Sequence, residues 1–280
     1  MLAYIEKGAG EPVVFIHGAV SDCRTWAEQL EFFSAMNYRA VSYSRRFHRP
    51  NAEFKPGAAK YSRALHVSDL VGFLRTLDLG KAHLVGHSYG ASIALMTALE
   101  HPELVGGLVL GEPSPFPALL HTESNRRLLL EQKTGFDEAS RLARDGQKEE
   151  AVRRFLHIVV GVDVFPLLPE ERRAVALENA DALEPMLETY YESPSVNAER
   201  LKTVRVPTLL VTGELSPRLA RLGNEAISRL LPDSRISVLR CASHGLQMEN
   251  PEGFNRMIFN FLAAHPLSTR QSEKSDYSAV

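Results

Sequence analysis

The run Gly86-His87-Ser88-Tyr89-Gly90 holds a serine between two glycines, after the apolar stretch Ala82-His83-Leu84-Val85 and before the helix-like segment from Ala91 to His101. A serine stands exposed at a strand-to-helix corner only if the chain turns very tightly. Side chains two positions away on either side would then collide, and Gly86 and Gly90 avoid that. The context fits a nucleophile elbow, so Ser88 is expected to be a nucleophile rather than a helix cap. A serine hydroxyl is weak at neutral pH and needs a base. Of the ten histidines, His244 in Cys241-Ala242-Ser243-His244-Gly245 follows the last apolar run and precedes the last helical period. A loop there can return it to the carboxyl edge of a sheet. His17, His83 and His101 fall in or beside regular elements and read as structural.

The elements that must carry these residues are legible as alternating patterns. Short Val, Ile and Leu runs begin at Val13, Tyr38, Ala82, Gly107, Thr208 and Arg235. Their continuous apolarity predicts strands buried on both faces, as parallel strands are. Between them lie helical periods such as Val67, Leu70, Val71, Leu74 and Leu77, and Phe254, Met257, Ile258 and Phe261. Strand followed by helix, repeated, predicts a mostly parallel sheet with helices on both faces. The rhythm stops after Gly111, and from Pro113 to about Arg200 only helical periods remain, including Val152, Phe155, Leu156 and Val159. Residues 1–112 and 201–265 are therefore expected to form the α/β core, 113–200 a helical lid, and the polar stretch 266–280 a disordered tail.

A chain of 280 residues can bury one large core. Its 44% hydrophobic and 24% charged residues and net charge of −2 give no electrostatic case for nucleic acid, so a small-molecule partner is expected. Two cysteines, Cys23 and Cys241, make neither a disulfide framework nor a metal site, and suit a reducing cytoplasm. The first twelve residues read as neither signal nor transit peptide, and no run is apolar enough to span a bilayer, so no membrane partner is expected.

With these residues in place, the chain resembles the α/β-hydrolases from about Leu2 to His265. The resemblance implies a hydrolase that needs neither cofactor nor metal. It matches the family's oxyanion loop to His17-Gly18-Ala19-Val20, so the Ala19 and Tyr89 amides become the expected oxyanion donors, with Gly18 giving room and His17 fixing the loop. Two departures stand out. Many relatives carry an aspartate where this chain has Ser216 in Gly213-Glu214-Leu215-Ser216, and a serine cannot hold a negative charge beside an imidazolium. Some lactonases of this fold place the acid one strand earlier, which selects Glu112 in preference to Glu214. Where relatives often have Asp-x-Arg-Gly-x-Gly, this chain has Ser44-Arg45-Arg46-Phe47-His48-Arg49-Pro50, with Lys55 and Lys60 beyond. Such a loop either braces its neighbours or attracts an acidic substrate group.

The expected function is cleavage of a carboxylic ester or lactone of a small molecule through an acyl-enzyme on Ser88. A carbon–carbon bond hydrolase, a cofactor-free dioxygenase and a small-molecule receptor retaining a triad are the alternatives on the same fold. A serine at the elbow argues against haloalkane dehalogenases and epoxide hydrolases, which need an aspartate there. Trp26 is expected to pack. Phe116, Phe155, Phe165, Tyr190 and Tyr191 are expected mainly in the lid core, with some facing the site. Oligomeric state is not written in the sequence.

Overall fold

In the computed structural model, which describes residues 1–51, 60–193 and 195–267, the apolar runs form strands and the periods between them form helices. β1 (Tyr4–Lys7) and β2 (Glu11–Ile16) lead to α1 (Ala27–Ala35), β3 (Tyr38–Tyr43), α2 (Arg63–Thr76), β4 (Ala82–His87), α3 (Tyr89–Glu100) and β5 (Val105–Gly111). The helices α4 (Glu123–Arg144), α5 (Lys148–Val160), α6 (Glu170–Glu178), α7 (Leu183–Glu188) and α8 (Ala198–Leu201) follow. The chain then returns through β6 (Thr208–Gly213), α9 (Arg218–Ser228), β7 (Ser234–Leu239), α10 (Leu246–Glu249) and α11 (Pro251–Ala263).

The seven strands lie in the order β1-β3-β2-β4-β5-β6-β7, parallel throughout except where β1 pairs antiparallel with β3. Alternate side chains of each central strand enter opposite layers, as the two-residue period of a strand dictates. Val13, Phe15, Val85, Val109, Leu209 and Val211 pack with Trp26, Leu30 and Phe33 around α1 and with Phe254, Ile258 and Phe261 of α11. Val14, Ile16, Leu84, Leu108 and Leu110 face the other way, onto Val67, Leu70 and Leu74 of α2 and Ile93 and Ala94 of α3. Helix starts carry their own caps: Ser62 accepts from the Leu65 N–H, and Asn250 accepts from the Gly253 N–H ahead of a helix that opens on Pro251.

One strand was not expected from the sequence, and one strand expectation needs correction. β1 carries no apolar run, because Tyr-Ile-Glu-Lys lies at the sheet edge with most of its side chains exposed. The Arg235 run forms β7, but β7 is also an edge strand, and Ile236 and Val238 are exposed rather than buried on both faces. Between Gly111 and Thr208 the described residues form no strand, only turns, three short 3-10 helices and α4 to α8. Phe136 stacks on Phe155 across α4 and α5, and Tyr190 meets Phe136 edge to face. These rings belong to the same continuous apolar cluster as the side of the sheet that carries Val14, Ile16 and Leu84. At the C-terminal end, the Leu267 N–H donates to Glu11, so the described chain still follows the sheet there; residues 268–280 of the expected tail lie outside the described residues. No helix among the described residues is long and apolar enough to cross a membrane.

Trp26 is fully buried between Phe15 and Phe254, with ring centroids 5.2 and 6.1 Å away, which is the packing role its sequence position suggested. Trp26→Ala should therefore cost about 3–5 kcal/mol, the range for emptying a large aromatic site. A urea titration would show this as a lower midpoint, and a loss below about 1 kcal/mol would contradict the packing described.

Candidate active site

Ser88 sits between β4 and α3 with φ 53° and ψ −118°, a backbone region that L-residues rarely adopt. Its neighbours explain how the chain tolerates this. A Cβ on Gly90 would stand 2.2 Å from the Ile16 carbonyl oxygen, and one on Gly86 would stand 2.5 Å from the Ala91 Cα. Glycine is therefore required at both places by close backbone approach. The Ser88 N–H donates to the Gly111 carbonyl at 2.8 Å, tying the turn to the end of the neighbouring strand.

From that corner a line of hydrogen bonds runs across three strand ends. The Ser88 hydroxyl lies 3.1 Å from His244 Nε2, and His244 Nδ1 lies 2.7 Å from Glu112 Oε2. A carboxylate only accepts, so Nδ1 carries the proton and Nε2 is left to accept from the serine. The other Glu112 oxygen accepts from the Gly213 N–H at 2.8 Å. Glu112 itself is buried at a positive φ of 45° immediately beyond β5. Glu214, the other carboxylate considered, turns away and accepts from the Cys241 N–H. Ser216 is buried, and its hydroxyl has no partner among the described residues. The geometry therefore brings together Ser88, His244 and Glu112 and leaves Glu214 out.

Ala19 and Val20 lie beside Ser88 along the same cavity, while Tyr89 opens α3 with its N–H in the first helical turn. The loop before them comes close: a Cβ on Gly18 would meet the Ser88 Cβ at 3.3 Å. His17 does not face the nucleophile. Its Nδ1–H donates to the Gly18 carbonyl at 2.9 Å, and its Nε2 accepts from the Arg45 N–H at 2.9 Å. His87, which the sequence analysis did not single out, donates from Nε2 to the His244 carbonyl at 2.7 Å and lines the cavity beside Ser88. Only its place inside the Gly-x-Ser-x-Gly run could have drawn attention to it.

The arginine loop takes the bracing alternative. Arg45 is fully buried against the carbonyls of His17 and Gly18, Arg46 pairs with Asp69, and Lys60 pairs with Glu192. Arg49 is held at its N–H by Asn179, and none of these side chains lines the cavity at Ser88. Lys55 lies outside the described residues. The charges of Arg45, Arg46 and Lys60 are thus engaged away from that cavity, which does not support the reading that they receive an acidic substrate group. Among the described residues, no cluster of His, Cys, Asp and Glu could hold a metal ion.

The cavity over Ser88, His87 and His244 measures about 630 Å³. Phe155, Leu156, Val159, Val160 and Val175 from α5 and α6 give it an apolar roof, with Arg24, Glu28 and Arg172 toward its polar side. Of the five aromatic residues expected in the helical segment, Phe155 reaches this wall, and Phe165 and Tyr190 lie buried outside it. A second cavity of about 430 Å³ meets His244 and Glu112 from the other side, with Val159 common to both.

The profile of the alpha/beta hydrolase family matches residues 13–257. The chain is 29% identical over 281 residues to a 2-hydroxy-6-oxononadienedioate/2-hydroxy-6-oxononatrienedioate hydrolase 2 of Pseudomonas putida, covering 93% of this chain and 91% of that protein. It is 30% identical over 286 residues to a hydrolase of the same name, without the numeral, from Paraburkholderia phymatum, covering 92% and 90%. Among solved structures, the enol-lactonase from Burkholderia xenovorans LB400 aligns with a TM-score of 0.76 at 17% identity, covering 94% of this chain and 96% of that one, a likeness of fold.

Burial pushes the imidazoles of His17, His48 and His66 well below the usual range, with the Arg45 charge adding to it. Burial and then His244 push His87 down to about 3. Folded values below the unfolded one mean that the unfolded chain binds more protons as pH falls past about 6.5. Stability from these neutral rings is present above that pH and is lost progressively toward the folded values. Urea midpoints should thus fall from pH 7.5 to pH 5, and His48→Gln should make the fall shallower. A midpoint constant over that interval would contradict neutral burial.

Proposed function

Because the chain is a hydrolase of the alpha/beta hydrolase family, we propose that it cleaves a carboxylic ester or lactone of a small molecule through an acyl-enzyme on Ser88. The observation that carries this reading is the unbroken line from Ser88 Oγ through His244 to Glu112, opening into an apolar cavity of about 630 Å³. In that arrangement His244 Nε2 takes the serine proton as Oγ attacks the substrate carbonyl. The carbonyl oxygen becomes an oxyanion held by the N–H groups of Ala19 and Tyr89. As the tetrahedral adduct collapses, the bond to the alcohol oxygen breaks and His244 returns its proton to that oxygen. Water then gives a proton to Nε2 as its oxygen attacks the acyl carbon; the second adduct collapses by breaking the bond to Ser88 Oγ, His244 returns the proton to Oγ, and the acid is released.

Glu112 fixes the Nδ1–H tautomer and stabilises the imidazolium that forms in each half-reaction. The helices between β5 and β6 act as a cap whose apolar underside excludes water around the adduct and favours an apolar acyl or ring portion. Residues 113–200 are the cap in this reading, carried on a core of 1–112 and 201–265. The enzyme would work in the cytoplasm, where buried Cys23 and exposed Cys241 remain free thiols.

A second reading is a carbon–carbon bond hydrolase of the same fold. It is favoured by the relatives named as 2-hydroxy-6-oxo dienedioate hydrolases, at 29% and 30% identity. It would use the same serine and histidine on a carbon leaving group.

A panel of p-nitrophenyl esters, aromatic lactones and 6-oxo dienoates distinguishes the two. Ester or lactone turnover is expected, with Ser88→Ala lowering kcat by about 10⁴-fold or more and Glu112→Gln by about 10²- to 10⁴-fold. Glu214→Gln should stay within about threefold of the parent, the range of a surface substitution outside the machinery. Turnover confined to the 6-oxo dienoates would replace the ester reading with the second one. Activity surviving in Ser88→Ala would remove both.

A further inference from the structure

Arg45 is a fully buried guanidinium, and among the described residues it forms no ion pair with a carboxylate. Burying a charge without an opposite charge is expensive, and an apolar side chain of similar volume is usually the more stable choice at such a place. Its hydrogen bonds indicate what holds it there. Nη2 donates to the Gly18 carbonyl at 2.8 Å, Nε to the His17 carbonyl at 3.2 Å, and Nη1 to the Tyr61 hydroxyl at 2.8 Å and His66 Nε2 at 3.3 Å. The Gly18 carbonyl accepts a second bond from His17 Nδ1. The guanidinium carbon also lies 5.0 Å from the centroid of the Tyr89 ring.

A trans peptide places its carbonyl and its N–H on opposite sides of the chain. Two donors therefore hold the Gly18 carbonyl on the buried side, and the N–H of Ala19 must point the other way. Ala19 lines the cavity together with Ser88. The surrounding rings keep the charge single. His17, His48 and His66 are held neutral by burial and by Arg45, and Tyr61 relays a hydrogen bond from Arg45 to His48 at 3.2 Å.

We propose that Arg45 is a positioning residue for the oxyanion hole: it locks the Gly18–Ala19 peptide with the Ala19 N–H facing the reacting carbonyl and leaves an uncompensated positive charge behind that donor. The proposal rests on the serine-hydrolase reading. Its contribution is made only when the oxyanion forms, because the ground-state carbonyl carries little charge for the field to act on.

The test compares the parent with Arg45→Met, Arg45→Lys and Tyr61→Phe, using p-nitrophenyl butyrate as substrate and butylboronic acid as a tetrahedral analogue. Arg45→Met should lower kcat about 10- to 100-fold, a part of what deleting one oxyanion donor costs, with KM within about threefold. Boronic acid affinity should fall by the same factor as kcat/KM. Arg45→Lys keeps the charge but not the fork, and should recover part of the loss. Tyr61→Phe removes only the anchor of Nη1, and should show the same pattern at smaller size.

A folded Arg45→Met that keeps its kcat would overturn the proposal, as would one that loses KM and boronate affinity alike. If Arg45→Met does not fold, Arg45→Lys and Tyr61→Phe decide, and unchanged kcat and boronate affinity in both would overturn it. All rates are taken as the part abolished by Ser88→Ala. Failure of the serine reading therefore shows as activity that survives that substitution, whatever Arg45 does.

Discussion

The backbone of Ser88, bent to φ 53° against the end of β2, is the constraint on which the rest of the site depends. Gly90 lies so close to the carbonyl oxygens of Ile16 and His17 that no side chain fits between them. The start of α3 and the end of β2 are thereby fixed relative to each other with no freedom to slide. Ala19 and Val20, just beyond that contact, line the same cavity as Ser88. A bend of this kind costs of order 1–3 kcal/mol and persists only where the surroundings over-determine it. Here they do, through the Ser88–Gly111 hydrogen bond, the close passage at Gly86 and the two-sided burial of β4.

The second strand-end bend, at Glu112, works with the first. Ser88 hydrogen-bonds to Gly111, the residue before Glu112, so the hydroxyl and the carboxylate are set one strand apart on a shared frame. His244 is then held from three directions: by Glu112 on Nδ1, by Ser88 on Nε2, and by His87 on its own carbonyl. A loop histidine is ordinarily among the more mobile groups of a protein. This one is held on both sides of its ring and at its main chain.

Polar ties also join the helices between β5 and β6 to the rest of the chain. Asn179 at the end of α6 donates to Asp22 and accepts from the Arg49 N–H, bridging the segment after β2 and the arginine loop. Asp22 is held below the usual carboxylate range; burial alone would raise it, but the bonds from Arg24 and Asn179 outweigh that. Arg24 completes the link by pairing with both Asp22 and Glu178. The apolar roof over Ser88 is thus registered to the loop that carries Ala19.

Much of this was written locally. The apolar runs at Val13, Tyr38, Ala82, Gly107 and Thr208 determine the central strands because burial on both faces favours apolar side chains at consecutive positions. Gly86, Ser88 and Gly90 determine the elbow because a bend that tight admits few other residues. What the sequence left open was pairing at a distance. Glu112 and Glu214 both follow strands, and only the packed sheet decided that one turns to His244 while the other turns to the Cys241 N–H. The arginines of the loop after β3 likewise looked alike in one dimension. Tertiary structure buried Arg45 behind Gly18 and sent Arg46 to Asp69, because a charge goes where acceptors from remote segments converge, and no local pattern of residues encodes that convergence.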